Sequence, residues 1–60
     1  MKYKEWVKKA KLQFKEEFPD HELLLIWGNR KVIFGKMVFT VESKFDNKLI
    51  RNKIIVEKEG

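Results

Sequence analysis

The sequence predicts an α+β fold: a two-layer domain with one N-terminal helix packed on a three-stranded antiparallel meander sheet. Three observations support it. Apolar residues recur at helical spacing near the N-terminus, runs rich in β-branched and aromatic residues follow, and short turn signals separate those runs. Short connections favour antiparallel pairing, and a single helix can cover one face of a sheet. We therefore expect the order α-β-β-β in a single small domain, residues 1–60.

The first predicted element is a helix over residues 3–18. Its apolar side chains lie three and four residues apart and form one stripe of Tyr3, Trp6, Val7, Ala10, Phe14 and Phe18. No capping residue precedes this segment, and Pro19 ends it because the residue before a proline avoids helical backbone angles. We expect the stripe to face the sheet.

The first two strands are predicted around two glycines. After the turn of residues 19–22, a strand over 22–27 leads to Gly28-Asn29, which is typical of a two-residue hairpin turn. The next strand begins at residue 30. The apolar phase shifts by one residue at Gly35, which favours a bulge within one long bent strand, 30–43. A second tight turn at Gly35-Lys36 is the alternative.

Residues 44–52 allow two interpretations. Asp46-Asn47 is typical of a turn, whereas Ser43 and Asp46 together resemble a capping box that would start a short helix. A fourth strand or a helical turn is therefore an alternative here. The last strand is predicted over roughly residues 50–58.

The composition excludes several sources of stability and several kinds of site. The chain has 60 residues, no cysteine and one histidine, so disulfides, thiolate metal sites and multi-histidine zinc sites are excluded. We expect no cofactor and no metal. A core this small supplies only about 3–5 kcal/mol, which favours self-association as a homodimer. No apolar run is long enough to span a membrane, so we expect a cytoplasmic protein.

The charge distribution favours an anionic partner. Fourteen Lys and Arg residues face nine Asp and Glu residues, a net charge of +5. Four lysines of the predicted helix fall within about 60° of one another and form a stripe beside its apolar face. Together with cations of the predicted hairpin, they are our candidate phosphate contacts to DNA or RNA: Lys4, Lys8, Lys11, Lys15, Arg30, Lys31 and Lys36. A merely solvated lysine-rich surface is the alternative.

The segment LLLIWGNRKVIFGKMVF (23–39) raises a packing problem, because it is apolar on both faces of the predicted hairpin. The helix is expected to cover one face, which includes Leu25, Trp27, Val32 and Phe34. A candidate interface remains on the other face, formed by Leu24, Ile26, Ile33 and Val38. We expect a second copy or another protein to cover it, with residues 44–52 as the competing cover.

Two single residues have both a functional and a structural interpretation. Trp27 is expected to close one end of the core under Arg30, and a base-stacking platform is the alternative. His21 lies between Asp20 and Glu22, as a general base could, but we expect an exposed turn residue. No serine triad, paired carboxylates or glycine-rich phosphate loop accompanies it, so we expect neither an enzyme nor a small-molecule substrate.

These patterns favour a small basic nucleic-acid-binding module or regulator. The alternative is a protein-interaction module, such as an inhibitor, an adaptor or a small homodimer, that uses the apolar sheet face. The short, cysteine-free and lysine-rich chain is also typical of phage, plasmid or thermophile proteins.

Overall fold

The computed structural model describes residues 2–58. Helix α1 (Tyr3–Glu17) precedes three strands, β1 (Glu22–Gly28), β2 (Lys36–Phe45) and β3 (Lys48–Glu57). The strands form one open antiparallel sheet in the order β1-β2-β3, so β2 is central. The predicted α-β-β-β arrangement is therefore confirmed, and residues 2–58 contain no fourth strand.

Helix α1 packs its apolar stripe on one face of the sheet. Trp6, Ala10 and Phe14 are buried, and the rest of the stripe is partly buried against them. The sheet completes this core with the buried residues Met37, Phe39, Val41, Ile54 and Val56. The helix ends before Pro19 as predicted, with the Phe18 N–H bonded to the Phe14 carbonyl at 2.8 Å.

The predicted hairpin turn at Gly28-Asn29 is wrong. Strand β1 continues through Gly28, and residues 29–35 form the connection to β2. Gly28 is buried, and an added Cβ would lie 2.8 Å from Met37 Sδ and 2.9 Å from the Phe39 ring. This glycine therefore permits a close approach between strand and core side chains, which a sequence pattern does not distinguish from a turn.

The predicted long bent strand over residues 30–43 is also wrong. The chain reverses at Phe34-Gly35, where both φ angles are positive (53° and 71°), as in the two-residue turns typical of hairpins. Ile33 and Lys36 flank this turn and exchange two backbone hydrogen bonds of 2.9 and 3.0 Å. The alternative of a tight turn was thus correct in kind, but the turn lies one residue earlier than Gly35-Lys36.

The bulge lies in β1 rather than at Gly35. Leu23 pairs with Ser43 and Leu25 with Glu42, which leaves Leu24 as the extra residue. One extra residue moves every later side chain of a strand to the opposite face. Ile26 consequently packs against the core, whereas Leu25 and Trp27 lie on the face away from α1. Their predicted positions are therefore reversed.

The second hairpin, which joins β2 to β3, contains the turn that the sequence predicted at Asp46-Asn47. Asp46 and Asn47 form its turn with φ angles of 52° and 60°, and Phe45 pairs with Lys48 across it. The turn prediction is confirmed, and the short capped helix is wrong. Strand β3 begins at Lys48, two residues before the predicted start, and residues 44–52 therefore do not fold over the sheet.

Side chains of α1 bond the backbone at both outer strands of the sheet. In β3, the Glu57 carbonyl accepts a hydrogen bond from Lys9 Nζ, and the Ile55 carbonyl accepts one from Gln13 Nε2 at 2.9 Å. In β1, the Gly28 N–H donates to the Tyr3 hydroxyl at 2.9 Å. The helix thus covers the core and also satisfies polar groups of both edge strands.

The close packing at Gly28 generates a stability prediction. Gly28→Ala should lower the free energy of unfolding by about 2 kcal/mol, because the new methyl group overpacks the Met37 and Phe39 side chains. Urea denaturation measures this loss. In a Phe39→Leu background the same substitution should cost about 1 kcal/mol less, since the ring no longer opposes the methyl group. Equal costs in both backgrounds would contradict this account.

Candidate functional site

The four predicted lysines of α1 form one exposed row along the helix. Lys4, Lys8, Lys11 and Lys15 are all exposed. Lys9 and Gln13 lie on the opposite side of the helix, where they bond β3, so the lysine row faces the β1 side. Lys11 and Lys15 also line a cavity of about 270 Å³ together with Leu23 of β1.

Arg30 extends this row at the N-terminal end of α1. Its guanidinium carbon lies 4.0 Å from the centroid of the Tyr3 ring, a cation–π contact. The bend that positions it begins at Asn29, whose side-chain oxygen accepts the Lys31 N–H at 3.0 Å. The expected stacking of Arg30 on Trp27 is therefore wrong. We refer to Lys4, Lys8, Lys11, Lys15 and Arg30 as the basic strip.

The two remaining predicted cations do not join the basic strip in the same way. Lys31 is exposed in the loop that follows Arg30. Lys36 begins β2 and forms an exposed ion pair with Glu57 at 3.4 Å. By contrast, no carboxylate within residues 2–58 forms an ion pair with a member of the basic strip. None of the strip cations is therefore ion-paired within this part of the chain.

His21 belongs to an aromatic cluster and is not the exposed turn residue that the sequence suggested. Its ring stacks on Phe45, with centroids 4.6 Å apart, and lies 5.0 Å from the Phe18 ring. Its Nδ1 is 3.1 Å from the Ser43 hydroxyl. Such a pair has the geometry of a nucleophile and its base, but Ser43 is completely buried, so its hydroxyl is inaccessible to a substrate. The contacts fit a structural role.

The sheet face away from α1 is uncovered by any segment of residues 2–58. We call it the open face. It consists of Leu25 and Trp27 from β1, the even-numbered residues 36–44 of β2 and the odd-numbered residues 49–57 of β3. Val38 and Ile55 pair at its centre, and Trp27 lies in the neighbouring row with Thr40 and Lys53.

The four predicted interface residues separate in the structure. Val38 lies on the open face, and exposed Leu24 at the bulge borders that face, where it lines a cavity of about 400 Å³ with the open-face residues Glu42 and Arg51. Ile26 instead packs against the core, and Ile33 lies in the loop before β2. Leu25, Trp27 and Ile55 were not predicted as open-face residues. The bulge that exposes the first two carries no glycine signal in the sequence.

The turn before β2 exposes three consecutive apolar residues. Val32 and Ile33 are at least half exposed, and Phe34 is 96% exposed. Val32 and Phe34 were expected on the helix-facing side of the sheet, and that prediction is wrong. We call residues 32–34 the apolar tip.

Two further classes of site receive no support from residues 2–58. These residues contain no group of three or more His, Cys, Asp or Glu side chains that could hold a metal ion. Helix α1 lacks the length and the apolar character needed to cross a membrane, and the described chain contains no other helix.

Comparison with known proteins finds no matching family model, no similar curated protein and no similar solved structure. The functional argument therefore depends on the basic strip, the open face and the apolar tip.

The two tryptophans provide a test of the corrected face assignment. Trp6 is 2% exposed in the core, so Trp6→Ala should cost about 3–5 kcal/mol of unfolding free energy. Trp27 is 39% exposed on the open face, so Trp27→Ala should cost only about 1 kcal/mol. Urea titrations of both variants, followed by circular dichroism, measure the difference. Equal losses would mean that Trp27 is part of a buried core.

Proposed function

We propose that this protein is a small nucleic-acid-binding module whose basic strip contacts backbone phosphates. The observation that carries the proposal is the alignment of five cations on one side of the molecule, without an ion-pairing carboxylate in residues 2–58. Lysines at positions i and i+4 repel one another when no anion lies between them, by about 0.2–0.5 kcal/mol per pair. A bound polyanion would remove that repulsion.

The dimensions of the basic strip suit a nucleic-acid backbone. Lys4 and Lys15 are separated by about 16 Å along the helix axis, because each helical residue adds 1.5 Å. Duplex DNA carries one phosphate per about 1.7 Å of its axis when both strands are counted, so the length of duplex beside the strip presents more phosphates than the strip has cations. Contacts of this kind carry no base information, and we expect binding with little sequence preference.

Salt dependence provides the test of this proposal. Four to five phosphate contacts should give a slope of about −4 in a plot of log K against log salt concentration. The double variant Lys8→Gln/Lys11→Gln should reduce the magnitude of this slope by about 2 and leave any sequence preference unchanged. Fluorescence anisotropy with labelled duplex DNA, single-stranded DNA and RNA, each at several salt concentrations, measures both quantities.

A matched control removes two cations from a different surface. Lys44→Gln/Lys53→Gln has the same change in net charge but alters the open face. It should change the slope less than the strip variant does. A larger effect from the control would move the contact to the open face, and wild-type protein that binds none of the three nucleic acids at low salt would refute the proposal.

The open face supports a second candidate function, self-association. Its ion pairs, Arg51–Glu42 at 2.7 Å and Lys36–Glu57 at 3.4 Å, neutralise four of the six charges within the face. Lys44 and Lys53 are the other two, so repulsion between two copies packed on the apolar centre of the face is limited to these lysines. Three strands of up to ten residues cover a flat area of about 450 Å². A standard interface buries about 800 Å² per partner, so we expect a weak dimer.

A single charge on the open face should prevent this association. Ile55→Glu places a carboxylate beside Val38 and should weaken the dimer at least about tenfold, because the apolar burial is lost in both copies. Ile33→Glu makes the same substitution outside the open face and should leave association unchanged. Sedimentation equilibrium measures both. A wild-type chain that stays monomeric at high micromolar concentration, or equal effects of the two variants, would exclude this interface.

A further inference from the structure

The apolar tip displays a side chain that the fold itself does not use. Phe34 is 96% exposed, and its ring makes no aromatic contact with another residue of the described chain. Its backbone has a φ angle of 53°, a left-handed conformation that is unfavourable for a bulky side chain. Both features oppose folding, which points to a role outside the folded chain.

The second hairpin has a turn with the same backbone conformation but with residue types that suit it. Its turn residues Asp46 and Asn47 have nearly the same positive φ angles, 52° and 60°, and both residue types tolerate that conformation. The first hairpin has Phe34-Gly35 in the equivalent two positions. Within one chain, therefore, the same backbone geometry is built once from favourable residues and once around an exposed aromatic ring.

The apolar tip is held by hydrogen bonds on both sides of its turn. Ile33 and Lys36 exchange two backbone bonds, and the Lys58 N–H donates to the Gly35 carbonyl at 2.7 Å. A partner that binds Phe34 would therefore meet a preorganised turn and would not have to order a loose loop.

The charges around the apolar tip favour an anionic partner. No acidic residue occurs in the sequence between Glu22 and Glu42, and Arg30 and Lys31 precede the tip. Lys36 follows the tip but forms an ion pair with Glu57 at 3.4 Å, so Arg30 and Lys31 supply the positive charge there. Arg30 also contacts Tyr3, so it joins the tip to the basic strip. The exposed ring thus lies at one end of a continuous cationic surface.

We infer that Phe34 is a wedge that inserts between adjacent base pairs of duplex DNA bound along the basic strip, an inference that rests on the nucleic-acid function proposed above. A ring that stacks on single-stranded bases is commonly supported by a sheet and offers one face. The Phe34 ring has no such support and leaves both faces free, so a base pair can stack on each side. Apolar wedges of this kind unstack and kink duplexes from the minor groove.

The direction of the basic strip favours a nucleic acid over a lipid surface. Helix α1 begins near the tip, where Tyr3 meets Arg30, and runs to the opposite end of the sheet, where Phe18 lies near His21. Lys15 is therefore about 16 Å farther from the tip than Lys4 is, which is twice the Debye length of about 8 Å at physiological salt. A membrane that received the tip end-on would not attract the far lysines. A duplex that lies along the basic strip instead contacts all of them and receives the Phe34 ring from the side where it passes the tip.

The decisive variant is Phe34→Asn, which removes the wedge and suits the positive φ angle of the turn. It should fold at least as stably as the wild type, bind duplex DNA about tenfold more weakly, and retain the salt slope because the basic strip is intact. Phe34→Leu keeps an apolar wedge and should retain most of the affinity.

Unwinding provides a readout that does not depend on where the protein binds. Plasmid DNA relaxed by topoisomerase in the presence of wild-type protein or Phe34→Leu should show a changed linking number, because insertion between base pairs untwists the duplex. Phe34→Asn, at a concentration giving equal occupancy, should leave the linking number unchanged.

The other outcomes separate this inference from the proposed function. Salt-dependent binding with equal affinity and equal unwinding for the wild type and Phe34→Asn would overturn the wedge and leave the basic strip supported. Absence of any nucleic-acid binding would overturn both. Phe34-dependent binding to vesicles of phosphatidylcholine and phosphatidylserine, without DNA unwinding, would identify the tip as a membrane contact and overturn the wedge.

Discussion

The packing of one helix on one side of a three-stranded sheet is the constraint on which the rest of this structure depends. Trp6, Ala10 and Phe14 insert against Phe39 and its neighbours, and this contact closes the only core that residues 2–58 contain. Because one helix cannot cover two faces, the opposite side of the sheet stays uncovered. Because the apolar stripe of α1 occupies one side of the helix, the lysines of the basic strip lie on another side. The open face and the basic strip thus both follow from the packing of α1 on one side of the sheet.

The sequence was sufficient for the class of fold because the relevant signals are periodic. The spacing of apolar residues defined α1, Pro19 marked its end, and Asp46-Asn47 marked the second hairpin. It was insufficient for the faces of β1, because the bulge at Leu24 occurs within three consecutive leucines and carries no local marker. The hairpin turn at Gly28 was predicted wrongly for a related reason. A glycine that close packing against Phe39 requires cannot be distinguished in the sequence from a glycine that a turn requires.

The candidate site was predictable to the same extent. Helical periodicity alone aligned Lys4 with Lys8, Lys11 and Lys15, but no periodic signal connects Arg30 with Tyr3, since that contact depends on the path of the loop. The exposed position of Phe34 could not be read from its residue type, which favours burial. Sequence patterns describe what a side chain prefers, so they fail at a residue whose position opposes its preference.

The hydrogen bonds from α1 to the two outer strands have a consequence for the solubility of this chain. An exposed strand edge is a template on which further copies can add, and LLLIW in β1 has the composition of an aggregation-prone segment. The Tyr3 hydroxyl and the bulge at Leu24 interrupt one edge, while Lys9 and Gln13 occupy carbonyls of the other. Local loss of α1 would expose the core and free the backbone groups of both edges, with only the bulge left to interrupt β1, so we expect a chain with α1 unfolded to aggregate more readily.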